Sequence, residues 1–311
     1  MRDFASSQIK KGVRAIGFGG DGATWGNYGL VWRDAGTTIV DYGDTAYSEG
    51  GDFRFAALGA TSPPLWHGLA VYLIALNEST NEVHFSLKAP DLGPRAAPVS
   101  GEGSDTGVFS KIALPIAHGI SAGVLLSYET SHFQTASLLN PGTSIRYETR
   151  WRPSGGFGLA WQPNPRLLLG LRALMNTDEE RRTEPTDTRT GLARSVELRL
   201  GGSLSPWEGA LVDAGVTRLD KRNAIAGTHT LSAEPNIGFE QALWARHFTF
   251  RFGVDETSPV AGLSTRFVPF NLDLAYVRNL ARHRVGELFG DRSNSVIMTF
   301  TIDYRALQGR R

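Results

Sequence analysis

A chain of 311 residues could hold two ordinary soluble domains or one large barrel. Lys+Arg 32 against Asp+Glu 31 leaves a formal net charge of +1, so nothing points to a nucleic-acid surface. Cys 0 excludes a disulfide framework and a thiolate metal site, and the longest apolar run, Leu69 to Leu76, falls far short of the ~18 residues of a spanning helix.

The N-terminus, MRDFASSQIKK, lacks the apolar core of a secretory signal, so for an exported protein we expect the numbering to begin near the mature terminus. Residues 1–34 carry closely spaced glycines among Trp25, Tyr28 and Trp32, with no sustained period of 2 or 3.6. So much glycine favours compact irregular backbone. We expect residues 1–45 to form a plug segment, with Arg14, Gly17, Gly19, Gly20, Asp21, Gly22 and Trp25 as its packed residues, and residues 46–311 to form the barrel. The run from Gly17 to Gly22 also satisfies G-x-G-x-x-G, with Asp41 downstream where a ribose-binding acid would stand. That motif needs a strand before it and a helix after it. The next residues, Ala23 to Gly29, make a poor helix, so tight packing explains the glycines better and no cofactor is expected.

From about Asp52 the pattern becomes a series of long candidate strands: 52–62, 67–76, 82–88, 107–115, 118–132, 144–162, 166–176, 190–205, 209–220, 229–244, 246–255, 260–268, 270–280 and 295–305. The count is about fourteen, an even number of the kind single-chain bacterial barrels have. The connections from residue 107 onward alternate between short and long. Short turns fall at Pro115 to His118, Pro163 to Pro165, Ser205 to Glu208, Ala245-Arg246 and Val268-Pro269; longer polar links run Phe133 to Thr143, Thr177 to Arg189, Lys221 to Thr228 and Ala281 to Asn294. Outer-membrane barrels have this asymmetry, with short turns on the periplasmic side. Trp66, Trp161, Trp207 and Trp244 lie at or beside short connections, where an aromatic girdle would form.

The faces alternate cleanly in the second half. Phe248, Phe250, Phe252 and Val254 oppose His247, Thr249, Arg251 and Asp255; Phe270, Leu272, Leu274 and Tyr276 oppose Asn271 and Asp273. The last strand sets Val296, Met298, Phe300, Ile302 and Tyr304 against Thr299, Thr301, Asp303 and Arg305, and we expect it to close the barrel against Phe53 to Leu58. A soluble sandwich would alternate too, with its apolar face inward. Strand length and loop asymmetry favour a transmembrane antiparallel β-barrel, so the fold class expected is all-β. Its polar inner face would then carry charges of both signs, among them Arg146, Glu148, Arg150, Arg172, Glu197, Arg199, Asp213, Glu240, Arg251, Asp273, Asp303 and Arg305. Mixed signs argue against an ion-selective ring.

Seven His residues are scattered without metal-binding spacing, and no G-x-S-x-G elbow is present, so neither a metal site nor catalysis is expected.

The segment K-K-G-V-R-A-I-G-F-G-G-D-G resembles the Gly-rich N-terminal pattern of the FadL-like and PorV-like outer-membrane barrels. The runs I-G-F-E-Q at 237–241, F-R-F-G-V-D at 250–255, A-G-L-S-T-R-F at 261–267 and F-N-L-D-L-A-Y at 270–276 look like their C-terminal hairpins. The resemblance implies a fourteen-stranded barrel with an N-terminal hatch, onto whose pattern Arg14, Gly17, Gly19 and Gly20 map. It also implies residence in the bacterial outer membrane, contact with outer-membrane lipid, and passive uptake of small hydrophobic solutes. The alternative within the resemblance is a non-transporting barrel that docks an envelope protein partner. Three departures stand out: where members usually carry an Asn-Pro-Ala-Gly stretch this chain reads Tyr28 to Asp34, the chain is short for a FadL transporter, and it extends past Tyr304 rather than ending on an aromatic residue.

Overall fold

β-Branched and aromatic residues at alternate positions favour extended backbone, and tight turns between such stretches pair them as hairpins. In the structure, a computed structural model that describes residues 27–30, 36–47, 52–87, 97–137, 144–184, 187–224, 227–244, 247–255, 258–267, 269–278 and 293–303, the hairpins run on until the sheet closes on itself. The strands are β1 Thr37–Tyr47, β2 Asp52–Thr61, β3 Ala70–Leu87, β4 Ala97–Ala117, β5 Ile120–Ser137, β6 Ser144–Asn164, β7 Leu167–Thr183, β8 Thr188–Leu204, β9 Ala210–Asn223, β10 Thr228–Leu243, β11 Phe248–Asp255, β12 Ser258–Phe267, β13 Phe270–Arg278 and β14 Ser293–Asp303. Each pairs antiparallel with its neighbours in sequence, and β14 closes on β1.

Three features differ from the sequence expectation. Strand β1 occupies Thr37–Tyr47, inside the segment assigned to the plug, so the barrel begins earlier than residue 46. The closing seam accordingly pairs Val40 with Phe300 and Tyr42 with Met298, and Phe53 to Leu58 lies one strand further on. Residues 67–76 and 82–88 are parts of one strand, β3, with a register shift between Thr80 and Val83 on its β4 side. The added strand and the merged pair cancel, so the total is still fourteen. They also reverse the side of the link after Thr61, which belongs with the short turns, where its brevity fits.

Much of the expected loops at 133–143 and 177–189 is strand. Strands β4 and β6 each run 21 residues and β7 and β8 each 17, whereas β11 runs 8 and β13 runs 9. The barrel wall is therefore tall along β3–β8 and low on the opposite side. On the short-turn side, His118 and Gly119 have φ 47 and 78, the pair of positive values a two-residue type I′ hairpin demands. In the link at the other end of β7 and β8, Asp187 accepts a hydrogen bond from Arg189 Nε at 2.8 Å, which holds its carboxyl below the ordinary carboxylate value.

Burial is inverted relative to a water-soluble protein. Leu58, Leu73, Leu126, Leu198, Leu200, Phe250, Phe252, Ile237 and Val296 are exposed, while alternate positions on the same face-to-face pattern, among them Arg199, Glu240, Arg251 and Thr299, are buried. Leu200 is 57% exposed and its neighbour Arg199 is 0% exposed. Such a surface is stable only against hydrocarbon, where closure of the sheet also satisfies every strand edge. The fold is that of a transmembrane β-barrel. Trp66, Trp161, Trp207 and Trp244 are all exposed beside the short turns, the height at which amphipathic indoles sit in a bilayer interface.

Candidate functional site

The inner face of the barrel has two kinds of wall. Along β2 to β5 apolar side chains predominate, with Ala57, Ile74, Leu76, Phe109 and Leu125 buried there and Thr61, Ser121, Ser127 and Glu129 among them. From β7 to β13 it is a belt of buried charge. Glu197 on β8 accepts from Arg172 Nη2 on β7 at 2.7 Å and from Arg199 Nε at 2.6 Å, both to the same oxygen Oε1. The Ser203 hydroxyl donates to Asp213 on β9. Further round, Arg251 on β11 donates through Nε to Glu240 on β10 at 2.6 Å and through Nη1 to Asp273 on β13 at 3.1 Å. Ser264 on β12 lies between Arg251 and Asp273, and Asn271 Nδ2 donates to the other Asp273 oxygen at 2.6 Å. Each charge has a partner on its own or a neighbouring strand, and the Arg251–Asp273 pair reaches across β12 as well.

One short piece of the N-terminal region is docked against this inner wall. Asn27, Tyr28 and Leu30 are all buried, and Tyr28 is 0% exposed. The Asn27 side chain accepts from the Gly29 N–H at 2.9 Å, and the Leu30 N–H donates to the Asn27 carbonyl at 3.0 Å, so the four residues form a self-closed turn. The Asn27 amide nitrogen donates to the carbonyls of Leu159 at 2.9 Å and Leu171 at 3.0 Å, residues paired across β6 and β7.

The turn fits because the wall beneath it lacks side chains. A Cβ on Gly123 of β5 would lie 2.2 Å from the Tyr28 carbonyl oxygen; one on Gly158 of β6 would lie 2.4 Å from Asn27 Oδ1; one on Gly156 would lie 2.5 Å from the Tyr28 ring. These three glycines form a groove that admits backbone where any other residue would exclude it. The Arg172 guanidinium sits 5.5 Å from the centre of the Tyr28 ring, a cation–π distance. Tyr28, Arg172, Glu197 and Arg199 therefore form a continuous chain of contacts from the docked turn into the charged belt.

Of the residues expected to line the lumen, Glu197, Arg199, Glu240, Arg251 and Asp273 are buried on the inner face and form the ion pairs given above. Arg146 and Glu148 stand elsewhere. They pair with each other at 2.8 Å, and the register sets them opposite Gln134 and His132, on the same face as exposed Val124, Leu126 and Tyr128. The cause is a register shift between Glu129 and Ser131, because one bulge transfers every later side chain of a strand to the other face. The side chains of Arg150 and Asp303, all of Arg305, and the plug residues Arg14, Gly17, Gly19, Gly20, Asp21, Gly22 and Trp25 lie outside the described residues. Asn27 and Tyr28 are functional-site residues that the sequence expectation lacks; their one signal is an Asn-x-Gly turn pattern next to an aromatic residue.

No protein-family model and no curated protein sequence matches the chain. Solved structures do. The chain is similar to a Pseudomonas aeruginosa FadL homologue, with a TM-score of 0.62 at 12% identity over 94% of this chain and 98% of that one. It is also similar to the Ralstonia pickettii toluene transporter TbuX, TM-score 0.57 at 13% identity over 94% and 98%. The P. putida toluene transporter TodX gives a TM-score of 0.56 at 10% identity over 93% and 99%. The chain thus has the fold of the FadL-type barrels along almost its whole length.

Proposed function

We propose that this protein is an outer-membrane channel for the passive uptake of small hydrophobic or amphipathic compounds, and that it is not an enzyme. The observation that carries this reading is the docked Asn27–Leu30 turn beside a lumen that is apolar on one wall and internally ion-paired on the other. Paired charges of both signs give no single-sign ring to select an ion, while Ile74, Leu76, Phe109 and Leu125, packed away from water in the closed arrangement, would present an apolar surface to a solute once the lumen opens. The similarity in fold to two toluene transporters supports the same solute class.

A solute entering from the tall side meets the docked turn and continues once the turn moves aside. A second route is lateral. The β6–β7 ladder is interrupted between the pairs Arg150–Glu179 and Gly155–Met175, the widest break in the described sheet, and an apolar molecule leaving there would enter lipid without being wetted again. Purified protein in liposomes is expected to take up a labelled monoaromatic hydrocarbon or alkyl compound faster than protein-free liposomes. Equal rates for every labelled compound of this class would remove the proposal.

A further inference from the structure

The outward face of β8–β10 carries a group of cations that neither the lumen nor the apolar belt accounts for. Outward positions on β8, counted from the short-turn end, include Leu204, Leu200, Leu198 and Val196, and then Arg194. At about 3.3 Å per residue and a tilt of 35–45°, Arg194 lies roughly 25 Å above Leu204 along the membrane normal, the height of an outer-membrane barrel's apolar band. It therefore stands at the rim remote from the short turns. Directly opposite it on β9 is Arg222, and Arg218 projects from the same face two outward positions lower, roughly 10 Å nearer the short turns, from where its long side chain reaches up towards the rim.

Like charges directly opposite one another in a sheet repel. Here the neutralisation is partial. Asp220, the carboxylate within this group, lies 3.5 Å from Arg222 Nε and 3.1 Å from His229 Nε2 of β10, while Arg194 and Arg218 have no ion-pair partner among the described residues. Further along the rim the outward charges alternate in sign, Glu179 and Arg181 on β7 and then Arg146 paired with Glu148 on β6. Exposed leucines lie on the membrane side of Arg194 and Arg222: Leu231 faces Asp220 and Leu198 faces Arg218.

A soluble acidic partner would match the charge but leave these leucines wet. A molecule with phosphates at the headgroup level and acyl chains below would satisfy both.

We infer that Arg194, Arg218 and Arg222 form a binding site for a phosphorylated, acylated glycolipid of the outer leaflet, with its phosphates on the guanidinium groups and its chains against the leucines. The site rests on the outer-membrane reading but not on transport. Its test is native mass spectrometry of the full-length barrel in detergent with added lipid A. Wild-type protein is expected to retain lipid A, and R194Q/R218Q/R222Q to lose affinity on the order of a hundredfold, since each arginine near an anionic headgroup contributes about a fivefold factor. Dephosphorylated lipid A on wild-type protein should show a comparable loss, an arm that does not depend on the variant folding.

Equal retention by the triple variant, still heat-modifiable on gels, would overturn the assignment. So would equal retention of the dephosphorylated lipid, or displacement of lipid A by equimolar inorganic phosphate. A chain that needs no detergent would instead overturn the membrane reading itself.

Discussion

Gly123→Leu is expected to release the Asn27–Leu30 turn from the barrel wall and raise conductance while leaving the barrel intact. The new Cβ would lie 2.2 Å from the Tyr28 carbonyl oxygen and 2.4 Å from its carbon, and neither is a flexible side-chain end that can swing away. The turn has to lift, and Tyr28, fully buried in the native arrangement, leaves its site together with its contact to Arg172. Losing a buried aromatic side chain costs about 3–5 kcal/mol, so the docked fraction should fall by at least about two orders of magnitude. Gly123 lies on an inner face and its own strand pairing is unaffected, so heat-modifiable migration should persist. Planar-bilayer recordings should show larger or more frequent openings than wild type. Identical traces from a folded variant would mean that the turn does not obstruct the lumen.

Arg251→Ala should produce the largest loss of stability among the lumen residues. Arg251 touches both Glu240 and Asp273, and all three are buried, so truncation strands two carboxylates without their cation. Breaking a buried ion network by removing one partner costs about 3–5 kcal/mol, whereas replacing the whole network with neutral groups of similar volume is often close to neutral. Urea unfolding in lipid vesicles should therefore show a much lower midpoint for R251A and substantial recovery in R251M/E240Q/D273N. If R251A unfolds within about 1 kcal/mol of wild type, the lumen charges are hydrated individually rather than held as a network.

The parts of this architecture that are legible in the sequence are those where lipid imposes a pattern. Along β11, β13 and β14 the outward side must be apolar and the inward side is polar, so Phe250 alternates with Arg251 and Leu272 with Asp273, and the period of two is unmistakable. Above the membrane no such demand exists. The Asn77–Asn81 stretch of β3 and the distal ends of β4, β5 and β7 are strand by hydrogen bonding alone, which is why they read as loops. Strand β1 escapes the pattern for a related reason: its inward positions Thr37 and Ile39 and outward positions Thr38, Val40 and Asp44 mix polar and apolar residues on both faces.

At the candidate site, alternation alone assigns Glu197, Arg199, Glu240, Arg251 and Asp273. The glycine groove is invisible to it, because Gly123, Gly156 and Gly158 acquire their meaning only when residues 27–30, distant in sequence, arrive against them. Alternation misplaces Arg146 and Glu148 because a bulge changes its phase without leaving a distinctive residue behind.

The absence of native cysteine makes one direct test available. Leu30→Cys with Ala160→Cys puts two thiols in the buried cluster that joins the turn to the wall of β6, so that oxidation ties the turn to the wall and reduction frees it. In liposomes carrying this double variant, uptake of a labelled monoaromatic compound should fall when oxidised, to what the lateral route alone supplies, and recover on reduction. Equal uptake in the two redox states, with the cross-link verified by mass spectrometry, would contradict a passage that opens by movement of this turn.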